Sequence, residues 1–180
     1  NFLLKNNKKF NSIIFVAATN TPKKFLNLKD KDFDYSYDVN FKSFVFILKN
    51  LISKMPTNSN SSIIIISSLF GSFGRDKRFL YSSSKHFLNG AMKNLAIELG
   101  TYRIRVNSIA PGFIDTKMTR NNNSNNSLSK IIKKIPAGRL GKSKDIAEAV
   151  MFLLSSKSSY ITGQELVIDG GLTAGGFWED

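Results

Sequence analysis

Residues Ser61 to Ser68 read SSIIIISS, four isoleucines in one block between pairs of hydroxyls. A strand with one wet face alternates apolar and polar positions, whereas an unbroken aliphatic block of this length fits a strand covered on both faces, as in a parallel sheet. Working outward, three more stretches have the same character. They are FNSIIFVAATN (Phe10 to Asn20), IRVNSIAPG (Ile104 to Gly112) and ELVIDGG (Glu165 to Gly171), each apolar and each ending in small or turn-forming residues. Between them lie segments of helical period. Asp34 to Met55 carries Val39, Phe44, Ile47, Leu48 and Leu51, with Pro56 as a stop. Arg78 to Gly100 carries Phe87, Met92, Leu95, Ala96 and Leu99. Ser143 is expected to cap a helix through KDIAEAVMFLLS, whose Ile146, Val150, Leu153 and Leu154 form a stripe. The polar run RNNNSNNSLS (Arg120 to Ser129) is expected to be a low-complexity loop or substrate lid.

Strands alternating with helices predict an α/β fold, a doubly wound parallel sheet with helices on both faces, formed by residues 1–180 as a single partial domain. In such sheets ligands bind beyond the carboxyl ends of the strands. Thr19, Ser68 and Pro111 fall at those ends.

Composition narrows the function classes. The 180 residues are 42% hydrophobic with 15 phenylalanines, too apolar for a disordered chain. Cysteine is absent and histidine occurs once, at His86, which argues against a thiolate or polyhistidine metal site, so no metal is expected. No stretch approaches the roughly 18 apolar residues of a membrane span. The absence of cysteine suits a reducing compartment, cytoplasmic or an organelle matrix. The formal charge of +13 invites a nucleic-acid reading, but the lysines are scattered in short pieces such as KNNKK (Lys5 to Lys9) and KIIKK (Lys130 to Lys134), with no interleaved basic and aromatic signature. No nucleic-acid and no membrane partner is expected. The chain opens at Asn1 without an initiator methionine, so it is read as processed or as a fragment.

The chemistry concentrates in YSSSK. Tyr81 and Lys85 are four residues apart on one helix and share a face. The cation is expected to favour phenolate and lower the tyrosine's pKa, making a proton exchanger near neutral pH. Ser68 closes the second strand thirteen positions earlier, and Asn40 lies in the preceding helix. Each also has a plainer reading. In that reading Ser68 ends a strand and nothing more, and Pro111 and Gly112 form an ordinary turn, while Asn107 is structural under either.

YSSSK with Ser68 ahead of it, RVNSIAPGFIDTKM (Arg105 to Met118), IPAGRLGKSKDIAEAVMFLLS (Ile135 to Ser155) and YITGQELVIDGG (Tyr160 to Gly171) occur in order. Together they resemble the short-chain dehydrogenase/reductase family, most nearly its 3-oxoacyl-[acyl-carrier-protein] reductases. The resemblance implies a Rossmann-like sheet, here N-terminally incomplete. It implies Tyr81 as general acid, Lys85 lowering its pKa and holding the nicotinamide ribose, Ser68 binding the substrate oxygen, and Asn40 anchoring a water in the proton relay. It also implies contacts to the nicotinamide from Pro111, Gly112 and Ile114, with Thr116 near the cofactor's amide or phosphate. NADPH is the more expected donor over NADH, the substrate a small-molecule or carrier-bound carbonyl, and the assembly a homo-oligomer, dimer or tetramer. Two features depart from the pattern: no glycine-rich turn after a first strand, and FVAATN where the family has Asn-Asn-Ala-Gly. The competing reading is a shortened, non-catalytic chain that binds a partner or completes an oligomer.

Overall fold

The computed structural model describes residues 9–57 and 60–175. Of the KNNKK stretch, only Lys9 lies within them. Four strands, β1 (Ser12–Phe15), β2 (Ser61–Ile66), β3 (Ile104–Pro111) and β4 (Glu165–Ile168), form one sheet in sequence order, every neighbouring pair parallel. The register pairs Ile63 with Ile13 on one side and with Val106 on the other, placing the isoleucine block at the centre of the sheet.

Alternation along β2 divides the core. Ile63 and Ile65 face one layer with Phe44, Leu48, Leu88, Met92 and Leu99, whereas Ile64 faces the other with Ile109, Val150 and Leu153. Ile63, Ile64 and Ile65 are all fully buried. Each such side chain contributes about 1.5–3 kcal/mol relative to exposure. The unbroken aliphatic run thus reflects a strand with no wet face.

Beyond β1 comes α1 (Asp30–Tyr37), and the helices that cover the first layer are α2 (Ser43–Leu51) and α3 (Phe79–Gly100). A π-helical segment, Asp38–Lys42, joins α1 to α2 and holds Asn40. The helix expected from Asp34 therefore begins earlier, at Asp30. Its start is fixed by the Asp32 carboxylate, which accepts the Lys29 N–H at 3.0 Å.

After β3 come α4 (Lys117–Asn121), α5 (Asn125–Lys134) and α6 (Ser143–Leu154), the last packed on the second layer. The expected loop over residues 120–129 is corrected here, since α5 occupies its second half. Ser124 caps that helix by accepting the Ser127 N–H at 3.2 Å. Leu128 is buried, and Ile131 packs with Ile135 and Leu69. That apolar spacing straddles the polar window, so the window conceals a helix start. The cap expected of Ser143 is also corrected: Ser143 is the first helical residue, and the Asp145 carboxylate instead accepts the Lys142 N–H at 2.7 Å.

Asn107 has the structural part expected of it. Its side chain donates to Ile161 O at 2.8 Å and accepts from the Gln164 N–H at 3.0 Å, fastening the loop before β4 to β3. Arg105, also buried, donates to Ser158 Oγ at 3.0 Å in the same seam. Among the described residues, no helix is long and apolar enough to cross a membrane.

Candidate active site

The carboxyl ends of β1, β2 and β3 form one edge, and α3 runs up to it. At the end of β2, Ser68 leaves the sheet and starts a 3-10 turn, Leu69–Gly71, its hydroxyl accepting the Phe70 N–H at 3.2 Å. The serine is buried, and its hydroxyl faces the Tyr81 phenol.

Lys85 is 1% exposed. Its Nζ donates to Ile66 O at 2.8 Å, at the last residue of β2, and lies 5.6 Å from the centre of the Tyr81 ring. Burial lowers the ammonium's pKa from 10.5 to about 8. Among the described residues only one of its three donors meets a hydrogen-bond acceptor.

The tyrosine departs from expectation. Burial pushes the Tyr81 pKa up, while the facing Ser68 hydroxyl and then the charge of Arg78 act in the opposite sense. The expected lowering by Lys85 is therefore corrected. A cation already committed to a backbone carbonyl and placed against the ring does not outweigh the desolvation of the phenolate. The phenol is thereby kept protonated at neutral pH, the form a proton donor requires.

Asn40 is fully buried and spans three elements. Its Oδ1 accepts the Thr19 N–H at 2.7 Å, and its Nδ2 donates to Thr19 O at 3.0 Å and to Ser84 Oγ at 3.1 Å. Ser84 precedes Lys85, so the π-helical segment, the end of β1 and α3 are joined at one amide. The alanines of FVAATN have no side-chain donors, and Asn40 supplies the anchor for that segment from the opposite side. Single-turn π segments within helices often accompany functional sites, since they turn a side chain away from the helical register.

Pro111, Gly112, Ile114 and Thr116 leave the same sheet edge on the β3 side. The Gly112 N–H donates to Ile168 O at 2.9 Å, and a Cβ there would stand 2.7 Å from Asp169 Cα. Ile114 forms an isolated bridge with Gly141, and Thr116 caps α4 by accepting the Thr119 N–H at 3.3 Å. These four belong to the edge, whereas Ser68, Tyr81, Lys85 and Asn40 form the connected cluster.

Sequence reasoning passed over the segment between Ser68 and Tyr81. A cavity of about 480 Å³ there is lined by Leu69, Phe70, Phe113, Ile131 and Leu172 with Arg75. The Arg75 guanidinium lies 5.4 Å from the Phe70 ring centre and 5.2 Å from that of Phe113. Arg78 is buried one turn before Tyr81. The signal is the pair of arginines in GRDKRFLY, just ahead of the tyrosine.

A parallel sheet whose carboxyl edge carries a buried lysine beneath a tyrosine, with a serine facing the phenol, defines the class of doubly wound α/β proteins with a buried polar cluster at the strand ends. A family model described as Enoyl-(Acyl carrier protein) reductase matches residues 2–173. The chain is 43% identical over 147 residues to the 3-oxoacyl-[acyl-carrier-protein] reductase FabG of Rickettsia bellii, covering 82% of this chain and 61% of that protein. It is 39% identical over 171 residues to the protein of the same name from Buchnera aphidicola, covering 95% and 69%. Among solved structures it is similar to a short chain dehydrogenase family protein from Francisella tularensis, with a TM-score of 0.89 at 29% identity over 96% of this chain and 74% of that one. A 3-oxoacyl-[acyl-carrier protein] reductase from Brucella melitensis gives 0.83 at 28% identity, over 91% and 63%. This chain belongs to the short-chain dehydrogenase/reductase family. It spans roughly two thirds of the length of the relatives it matches.

Proposed function

We propose that these residues are the catalytic part of a nicotinamide-dependent oxidoreductase that reduces a carbonyl to a hydroxyl, with Tyr81 as general acid. The observation that carries the reading is the buried cluster itself, in which a protonated phenol lies between the Ser68 hydroxyl and the Lys85 ammonium. In this reading Ser68 donates to the carbonyl oxygen, orients it and stabilises the charge that develops there. Tyr81 then delivers its proton to that oxygen. Lys85, with donors to spare, fits a pair of ribose hydroxyls on the cofactor and would receive them beside the phenol. When bound, the nicotinamide supplies the hydride. Asn40 holds Thr19 and Ser84 in register around Lys85 and is placed to anchor a relay water. Pro111, Gly112, Ile114 and Thr116 would line the nicotinamide side.

The preferred substrate is a 3-oxoacyl thioester on a carrier protein, which the names of the relatives support, and the preferred donor is NADPH over NADH. A homo-oligomer in the cytoplasm or an organelle matrix belongs to the same reading. The aromatic series Phe33, Tyr37, Phe41 and Phe87 along α1, the π segment and α3 supports assembly, because Phe33 and Tyr37 remain exposed.

The test is Tyr81→Phe in the complete protein, assayed by NADPH oxidation with an acetoacetyl thioester. Loss of turnover by a factor of about 10²–10⁴ with the circular dichroism spectrum retained is expected. Unchanged turnover would remove Tyr81 from the proton step and the assignment with it.

A further inference from the structure

Arg78 is 5% exposed, and neither its Nε nor its Nη1 has a hydrogen-bond acceptor among the described residues. A buried guanidinium left in this state is costly, since two of its three nitrogens have lost water and gained no acceptor. Its surroundings make matters worse. The Arg78 N–H donates to Arg75 O at 3.2 Å, so the two arginines sit on one turn, and each repulsion between their charges adds to the desolvation. The nearby carboxylates do not answer the need. Asp32 is held by Lys23 at 2.6 Å, and Asp76 lies 4.0 Å from its own neighbour Lys77. Arg75 is meanwhile braced between Phe70 and Phe113, with Nη2 on Asn123 Oδ1 at 3.3 Å, which aligns a second cation along the cavity wall.

The position of this pair gives it a use. Arg78 is the residue on which α3 starts, and its carbonyl accepts the Ser82 N–H at 2.7 Å. Its guanidinium is near enough to Tyr81 for its charge to act on the phenol. The missing counter-charge and the reacting carbonyl therefore belong to one locality. We propose that Arg78, backed by Arg75, receives an oxyanion of the substrate, a carboxylate or a phosphate, beside Tyr81. A keto acid, in place of the carrier-bound thioester preferred above, places its carboxylate within a few bonds of the carbonyl and suits Arg78. A phosphate on a longer arm lies along the cavity wall toward Arg75. The inference rests on the reading of Tyr81 as the proton donor for its place in the reaction, although its test does not need turnover.

The experiment is calorimetric titration of the complete protein with acetoacetate, with inorganic phosphate and with the neutral methyl acetoacetate. Saturable binding of at least one oxyanion, at least about tenfold tighter than the ester, is expected, since a guanidinium distinguishes charge where an apolar pocket does not. Acetoacetate binding alone assigns the carboxylate, phosphate binding alone assigns the phosphate, and binding of both assigns a general oxyanion site. Arg78→Met weakens the bound anion by at least about tenfold, whereas Arg75→Gln, at a half-buried position, does so by a smaller factor. Tyr81→Phe retains the binding even where turnover is lost, which separates this site from the proton-transfer reading. The absence of oxyanion binding, an ester that binds as tightly as the acid, or unaltered binding by a folded Arg78→Met protein would each overturn the proposal. The comparison of acid with ester in the unmodified protein decides the matter if the variant does not fold.

Discussion

The ammonium of Lys85 lies 5.6 Å from the centre of the Tyr81 ring while it donates to the carbonyl of Ile66 at 2.8 Å. The carbonyl fastens the cation to the end of β2, and the phenol of Tyr81 is left to Ser68 and Arg78. The lysine thus ties the sheet edge and the tyrosine together.

The pH dependence of stability follows from that burial. Lys85 has its pKa lowered from 10.5 to about 8, so between these values the unfolded chain binds more protons than the folded one. Stability from this group rises with pH across that window, and the penalty for burying the charge is fully present below about pH 8. The rise amounts to roughly 3 kcal/mol at most, from 1.36 kcal/mol per pKa unit. Tyr81 acts oppositely: its pKa is raised, so its contribution is present below pH 10 and is lost as pH climbs through the folded value. Urea unfolding at pH 7.5 and pH 9.5 should show the rise, and Lys85→Met should flatten it. A slope unaltered by the substitution would place its origin elsewhere.

Ser68→Ala should separate chemistry from stability. Its hydroxyl accepts one hydrogen bond, from the Phe70 N–H in a short turn, so the loss of stability is about 1 kcal/mol. If the hydroxyl stabilises the developing oxyanion, kcat should fall by a factor of about 10²–10³ in the complete protein. Thermal unfolding and single-substrate kinetics on the same sample provide both quantities.

Asn40→Ala should behave differently. The substitution orphans both the N–H and the carbonyl of Thr19 and removes the tie to Ser84, in a fully buried place. Loss of about 2–4 kcal/mol is expected, measurable as a lower urea midpoint. Hydrogen exchange should quicken at Thr19, whose amide then lacks its acceptor. A protein as stable as the original would show that the π-helical segment is held by packing alone.

Gly112→Ala tests why glycine stands after β3. A methyl group there would meet Asp169 Cα and Cβ at 2.7 Å, which only a separation of the exits of β3 and β4 relieves. We expect destabilisation of about 1–3 kcal/mol before any ligand is considered. Cofactor affinity in the complete protein should fall more than the loss of stability explains if Gly112 also lines the nicotinamide. An equal fall in both would leave it a packing residue.

The sequence alone determined the strand and helix order, because period and length are local: SSIIIISS has nowhere to sit but a covered strand, and Met92, Ala96 and Leu99 recur on one face of α3. It also located Ser68, Tyr81 and Lys85, since i,i+4 spacing and the end of a strand are written in the chain. Tertiary structure decided what the chain does not write. The start of α5 was hidden because its cap, Ser124, lies inside the polar window while most of its apolar stripe lies beyond it. The sign of the Tyr81 shift depended on burial against charge, and burial is a property of everything packed around a residue. Arg78 looked like one more surface cation among 26 basic residues. Only the packing of the turn that carries it shows that charge buried, with Nε and Nη1 lacking an acceptor among the described residues.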